Sequence, residues 1–376
     1  MFEVMEVYIK NRADQVVFLQ LKEGGLGGLE RFQYLEGLPI PILVNELADL
    51  VKNKDGQQDI PLASIARGMV FLMGLDKEFK HLSLYKRFLY DFDEQIEDYI
   101  AYEGIKLAEQ GELYTALIYF HSLVQLNKDN LNGVYNYGRC CYDIAEKSHE
   151  AKVKSDFTKE ATAVFELLAE EFPEFSASHY YLGFLYAKQK MFKKAQLTWE
   201  ECLGIGIDED KEEEIRKQLI GIRDQIQYEE GYTLALGGHP EKGLEKLIPL
   251  LEKYHDWWNL TFLIGFAYRQ CGNYTEAIRY LEKVLTMVPN QVDTLNELGI
   301  CYASIGEMGK AEMFLKKALV EKANDSEIIC NLGMVYMEMD RYDEAEEIFE
   351  ESLRINPDDE VTKQCIEELK KRMNGI

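Results

Sequence analysis

The stretch NLGMVYMEMDRYDEAEEIFEESLRINP, residues 331–357, carries Leu, Gly and Tyr in its first half and Ala, Phe and a closing Pro in its second. The same arrangement recurs upstream, and its glycine reappears every 34 residues at Gly299, Gly265 and Gly231. Looser copies continue the series, with insertions near 146–160 and 208–223, through Gly183, Gly138 and Gly104. A fixed period of this size indicates stacked supersecondary units. Seven units are predicted, beginning near residues 97, 131, 176, 224, 258, 292 and 326.

Each unit reads as two helices of about a dozen residues joined by a short turn. A glycine inside a helix costs about 1 kcal/mol relative to alanine, so its recurrence indicates a close approach of the two helices. The small residues expected opposite it are Ala116, Ala161, Ala195, Ala277, Ala311 and Ala345. Proline ends several second helices because it cannot donate the next hydrogen bond and clashes with the preceding turn, as predicted at Pro173, Pro289 and Pro357.

These repeats, covering residues 97–359, resemble the tetratricopeptide repeat family. The resemblance implies an all-α fold, a right-handed superhelical solenoid of about seven helix pairs. It also implies that the first helix of each pair lines a concave groove. One departure is Gly243, which replaces the second-helix alanine of the fourth repeat.

The ends of a repeat array expose apolar faces and need caps. Residues 360–376 read as a polar amphipathic helix and are predicted to cap the C-terminus. Residues 1–96 are predicted to form an N-terminal cap region that is mostly helical and ends in a degenerate helix pair, 63–96. Within it, QVVFLQLK, residues 15–22, reads either as a strand or as a helical turn.

The chain is strongly acidic, with 67 Asp and Glu against 42 Lys and Arg and a net charge of −25. This charge disfavours binding to nucleic acid or to an anionic membrane surface, since both are negatively charged. The seven cysteines form no CxxC pair and are odd in number, as expected of reduced thiols in the cytosol. The first residues also lack the pattern of a secretory leader. We therefore expect a cytoplasmic protein.

No pattern of residues points to catalysis. The six histidines lack metal-ligand spacing, and no nucleophile elbow, kinase set or zinc knuckle is present. We expect no catalytic residues, no metal and no cofactor, and hence a protein that is not an enzyme. An alternative is an accessory subunit with an activity in residues 1–60, the part of the chain that the repeats do not explain.

The resemblance implies that the fifth and ninth residues of each repeat point into the groove. The candidate partner-binding residues on this basis are Tyr135, Arg139, Tyr180, Phe184, Tyr228, Tyr232, Phe262 and Phe266. No repeat carries the Lys-then-Asn pair of the family members that clamp a carboxylate. Two interpretations of this aromatic stripe stay open: a binding surface, or a surface filled by core packing or by an inserted helix.

The sequence thus favours a non-enzymatic scaffold that binds an apolar or aromatic-anchored peptide or helix of a partner protein. Basic flanks on that partner would complement the acidic chain. The other reading is a peptide-sensing regulatory protein. The identity of the partner and the oligomeric state stay open.

Overall fold

The computed structural model describes residues 7–20, 30–52 and 60–374. Contacts between Cα atoms divide the chain into two units, Met1–Arg216 and Lys217–Ile376. Within the described residues the repeats form seven consecutive helix pairs, three in the first unit and four in the second. Over these residues both units are all-α apart from one short hairpin in the first.

The first unit begins with that hairpin. Strand β1, Val16–Gln20, pairs antiparallel with β2, Pro39–Leu43, with Val16 opposite Leu43. The segment read as a strand or a helical turn is therefore a strand. Short 3-10 helices, Lys10–Gln15 and Glu30–Leu35, precede the two strands. Helices α1 (Val44–Lys52), α2 (Leu62–Leu75) and α3 (Leu82–Phe92) follow. Parts of the N-terminal region, residues 1–6, 21–29 and 53–59, lie outside the described residues.

Helix α2 lies between the hairpin and the first repeat. A Cβ atom added at Gly68 would overlap the carbonyl of Pro41 in β2, and one added at Gly74 would overlap the carbonyl of Ile118. Ile118 belongs to the second helix of the first repeat. The buried His121 extends this contact, because its Nδ1 lies 2.7 Å from the carbonyl oxygen of Gly74 and donates a hydrogen bond to it. Helix α2 thus packs closely on the first repeat, and the reading of 63–96 as a degenerate repeat pair stays a prediction.

The three helix pairs of the first unit are formed by consecutive helices. They are α4 and α5 (Ile96–Glu109 and Leu113–Leu126), α6 and α7 (Leu131–Lys147 and Ala151–Glu171), and α8 and α9 (Ser176–Lys188 and Phe192–Ile205). The insertion near 146–160 lengthens α6 and α7 to 17 and 21 residues. The insertion near 208–223 instead forms a separate helix, α10, Glu209–Gly221, which contains the boundary between the units.

The lengthened start of α7 receives the N-terminal segment. The hydroxyl of Tyr8 donates to Asp156 at 2.7 Å, and the Tyr8 ring lies 5.1 Å from that of Phe157. Nearby, Arg12 donates to the hydroxyl of Thr115 on α5 at 3.0 Å. The first insertion therefore gives the N-terminal segment a surface to pack against.

The second unit contains four helix pairs and a final helix. The pairs are α11 and α12 (Arg223–Leu236 and Pro240–Leu247), α13 and α14 (Trp258–Gln270 and Tyr274–Met287), α15 and α16 (Val292–Ser304 and Met308–Glu321), and α17 and α18 (Ser326–Glu338 and Tyr342–Ile355). Helix α12 is short because Pro249 follows it, and the chain continues as a 3-10 helix, Ile248–Glu252. Helices α14 and α18 end two residues before Pro289 and Pro357, as does α7 before Pro173.

The recurring glycine lies closest to a bulky side chain of the second helix. A Cβ added at Gly299 would lie 2.5 Å from Cγ of Leu315, and one at Gly104 would lie 2.7 Å from the ring of Phe120. The same holds for Gly333 against Phe349 and for Gly183 against the indole of Trp199. In each case the side chain that excludes a Cβ is the bulky residue one turn after the alanine. The close approach of the two helices that the glycine predicted is therefore present, and a bulky residue of the second helix makes the nearest contact.

Gly299→Leu should destabilise the second unit by about 1–3 kcal/mol, because overpacking displaces side chains and backbone. Gly309→Leu is the matched control: Gly309 lies in the second helix of the same pair, and a Cβ there meets no atom within 4 Å. Urea denaturation of both variants measures the free energy of unfolding. An equal effect of the two substitutions would refute the packing role of Gly299.

Helix α19, Glu360–Met373, follows the last pair and buries Thr362 and Leu369. Its N-cap is Asp359, whose carboxylate accepts hydrogen bonds from the backbone N–H of Val361, at 3.1 Å, and from the Thr362 hydroxyl. The bond from Thr362 and the bonds from the backbone hold the pKa of Asp359 below its usual value. The C-terminal segment is thus an ordered helix with a charged cap.

Asp359→Ala should lower the stability of α19 at pH 7 by about 0.5–1 kcal/mol, the lower range for an N-cap because the site is exposed. The pKa of Asp359 is lower in the folded than in the unfolded chain. The stability that its carboxylate contributes is therefore fully present above the unfolded pKa of about 4 and is lost as the pH falls through the pKa of the folded state. Hydrogen exchange of α19 amides at several pH values measures it. A difference between variant and wild type that persists at the lowest pH would contradict this assignment.

Candidate functional site

The candidate residues lie on the first helices of the second to fifth repeats. We call the surface made by the fifth and ninth residues of these helices the first-helix face. Tyr135 and Arg139 lie on α6, and Tyr180 and Phe184 lie on α8, all in the first unit. The second unit holds Tyr228 and Tyr232 on α11 and Phe262 and Phe266 on α13. The members of each pair are four positions apart, so both side chains point to one side of their helix.

The ninth residue of a repeat is generally the more accessible of the two. Tyr180 is 8% exposed, and at the same position Asn296 and Cys330 are also buried. Tyr232, a ninth residue, is 47% exposed. The fifth residue is therefore the more shielded from solvent in most of these repeats.

In the first unit the aromatic side chains contact one another. The ring of Tyr135 lies 5.2 Å from that of Phe175 in an edge-on arrangement. Tyr180 and Phe184 lie 5.0 Å apart, and Phe184 lies 5.0 Å from the buried Trp199. This part of the face is a connected aromatic layer over the core of the third repeat.

Arg139 is the basic group within this layer. Its guanidinium lies 5.8 Å from the centre of the Tyr135 ring and donates to Oδ1 of Asn136 at 3.3 Å. A small cavity of about 110 Å³ beside it is lined by residues of the first and second repeats, including Ile105, Phe120 and Asp143. Burial raises the pKa of Asp143. The charged groups here are partly withdrawn from water.

In the second unit the face is more open. The Tyr228 ring stacks on Trp257 at 4.4 Å, and burial raises the pKa of the Tyr228 hydroxyl, which stays neutral. Tyr232 lies one turn further along α11, and Leu236, one turn beyond it, is 52% exposed. These three side chains form an apolar stripe along a single helix.

Helix α13 supplies the second row of this face. Phe262 and Phe266 are half-buried, with ring centres 6.5 Å apart. The guanidinium of Arg269 lies 5.1 Å from the Phe266 ring and pairs with the buried Glu297. Tyr228, Trp257 and Phe266 pack against the same cluster of buried residues around Leu263 and Ile264. The two rows are therefore anchored to one core.

Three contributors to these surfaces did not emerge from the sequence. Trp257 precedes the first residue of its helix, so it lies outside the repeating positions, although two adjacent tryptophans in an acidic polar loop were a visible signal. Leu236 is the next residue in the spacing of Tyr228 and Tyr232, and extending that spacing by one turn would have found it. Glu214, which contacts Tyr180, comes from an insertion that has no copy elsewhere in the chain.

The thiols offer no nucleophile at neutral pH. Burial raises the pKa of Cys202 to about 11 and those of Cys140, Cys301 and Cys330 to about 12, and it also raises the pKa of the remaining three. A protonated thiol is a poor nucleophile. Within residues 7–20, 30–52 and 60–374, no group of three or more His, Cys, Asp or Glu side chains could hold a metal ion. Over the same part of the chain, no helix is long and apolar enough to cross a membrane.

Several similar chains among the solved structures are described as tetratricopeptide repeat proteins. A chain of the APC/C hetero-tetramer Cut9–Hcn1 matches 86% of this chain over 66% of its length. The identity is 14% and the TM-score is 0.42. For a tetratricopeptide repeat protein of Parabacteroides merdae the values are 98% of that chain, 73% of this one, 13% identity and a TM-score of 0.38. YrrB, described as a tetratricopeptide repeat protein with an unusual peptide-binding site, matches over 97% of its chain and 66% of this one, at 14% identity and a TM-score of 0.29.

No curated protein sequence matches the chain. Two family models do match it, and both describe the tetratricopeptide repeat. They cover residues 258–319 and residues 326–359, which correspond to the pairs formed by α13 to α18. Residues 258–319 and 326–359 are therefore tetratricopeptide repeats.

Proposed function

We propose that the first-helix face of the second unit binds an apolar helix or peptide of a partner protein. The observation that carries the proposal is the exposure of Tyr232 and Leu236, 47% and 52%, beside Tyr228, which Trp257 holds in place. Aromatic and apolar side chains exposed together on a folded surface usually mark an interaction site. Their rigid neighbours reduce the ordering cost of binding.

The spacing of these side chains specifies the kind of ligand. Residues 228, 232 and 236 lie on successive turns, so the stripe extends along about 12 Å of α11. A partner helix with apolar residues at positions i, i+4 and i+7 matches such a stripe. The row formed by Phe262 and Phe266 would contact a second side of that helix. The ligand is therefore an amphipathic helix or an apolar peptide with two or three anchors.

Charge adds a preference for the flanks of the ligand. The chain carries a net charge of −25. Arg269, which lies over the Phe266 ring, is already paired with Glu297. A ligand with acidic flanks would be repelled, whereas basic flanks accelerate the encounter. No chemical step is assigned to this surface. Its function is recognition alone.

Peptides selected from a displayed random library against the intact chain provide a defined probe. Tyr232→Ala should weaken the binding of a selected peptide by about 2 kcal/mol or more, roughly thirtyfold, because a desolvated aromatic anchor is lost. Fluorescence anisotropy measures the dissociation constant, and thermal melting shows whether the fold survives. The Tyr228→Ala/Tyr232→Ala double variant extends the test to the tyrosine that Trp257 supports.

Val320→Ala is the matched control, because Val320 is 82% exposed on α16, a second helix of the same unit. It should leave the dissociation constant within about twofold, as surface changes away from an interface usually do. Equal binding by Tyr232→Ala and wild type would place the site elsewhere. A large fall in melting temperature for Tyr232→Ala would show that this tyrosine belongs to the core.

A further inference from the structure

Helix α10, Glu209–Gly221, buries fewer of its residues than any helix of the repeat pairs. Ile215 is its one buried residue among thirteen, whereas α8 of the same length buries seven. A helix of this length is marginally stable in water and depends on tertiary contacts. The contacts that hold α10 therefore decide whether it stays in place.

Two contacts of α10 are made with Tyr180 of the first-helix face. The hydroxyl of Tyr180 donates a hydrogen bond to Oε2 of Glu214 at 2.6 Å. The ammonium of Lys211 lies 5.7 Å from the centre of the Tyr180 ring. Residues 211, 214 and 215 share one side of the helix, since they are three and four positions apart. The side of α10 that carries these residues thus faces the tyrosine.

Tyr180 belongs to a row of tyrosines that reaches across two first helices. Its ring lies 5.1 Å from that of Tyr181, which lies 5.1 Å from that of Tyr142 on α6. Burial, together with the bond to Glu214, raises the pKa of Tyr180, so its hydroxyl remains a donor at neutral pH. A row of neutral hydroxyl groups over aromatic rings suits a ligand with an acceptor beside an apolar side chain.

We propose that residues Lys211–Ile215 are an internal ligand of this tyrosine surface, and that a partner helix carrying a carboxylate next to an aliphatic residue displaces them. The short Tyr180–Glu214 hydrogen bond is the contact that a partner carboxylate would take over. This proposal goes beyond the function proposed for the second unit, because it concerns residues of the first unit alone. Binding there would be regulated, since α10 must leave before a partner can enter.

The test uses the helix itself as the probe. A fluorescein-labelled synthetic peptide of residues 207–222 is titrated against the wild-type chain and against a full-length variant in which residues 209–221 are replaced by an equally long Gly-Ser linker. The linker variant should bind the peptide at least tenfold more tightly than wild type, because its surface is uncovered. Adding Tyr180→Phe to the linker variant should weaken binding about tenfold, the effect of losing one hydrogen bond to a charged group.

Two peptide controls define the contact. A peptide with Glu214→Gln should bind the linker variant about tenfold more weakly, whereas one with Glu209→Gln should bind like the parent peptide. Introducing Tyr232→Ala into the linker variant should leave binding of the peptide unchanged, which separates this site from the second unit. Equal affinity of wild type and linker variant, absence of binding to both, or equal affinity of the Glu214→Gln peptide would each overturn the proposal.

A second variant covers the case in which the linker variant fails to fold. Glu214→Gln with Ile215→Ser leaves the length and most of α10 intact while removing the carboxylate that bonds Tyr180 and the buried apolar side chain. Hydrogen exchange should then be at least tenfold faster in α10 and unchanged in α8 and α9, and the labelled peptide should bind more tightly than to wild type. Unchanged exchange in α10 would show that other contacts hold the helix, which also overturns the proposal.

Discussion

Each helix pair depends on one close contact, in which a bulky side chain of the second helix lies directly over a glycine of the first. The contact leaves no space for a Cβ: at Gly299 it would lie 2.5 Å from Leu315, and at Gly265 it would lie 2.9 Å from Leu281. The side chain that excludes the Cβ is large, so the glycine also fixes where the second helix crosses the first. The positions of the fifth and ninth residues follow from that crossing.

This constraint explains why the period was readable from the sequence. A glycine at a costly helical position every 34 residues, followed by similar apolar residues, indicates a repeated contact whatever the family. The helix pairs were therefore predictable, as were the ends of α14 and α18 ahead of Pro289 and Pro357. The repeat shows that the two helices approach closely at each glycine, but the side chain that makes the contact differs between copies. It is a leucine at Gly299 and a phenyl ring at Gly104.

Segments outside the period were the least predictable. The two insertions contain similar numbers of residues, yet the first extends α6 and α7 and the second forms α10. The first insertion is ordered by a partner far away in sequence, since Asp156 contacts Tyr8. The hairpin likewise pairs Val16 with Leu43 across a long connection. Contacts of this kind depend on tertiary structure rather than local preference, so a single sequence carries little signal for them.

The same distinction explains the candidate surfaces. The resemblance singled out Tyr180 and Tyr228 by their place in the repeat, but their accessibility depends on residues that do not repeat. Glu214 of α10 satisfies the hydroxyl of Tyr180, whereas Trp257 stacks on the ring of Tyr228, and the neighbouring Tyr232 is exposed. Residues at equivalent repeat positions thus have different environments. One surface is covered by its own chain and the other is open, so any partner of the first must compete with α10 while a partner of the second need not.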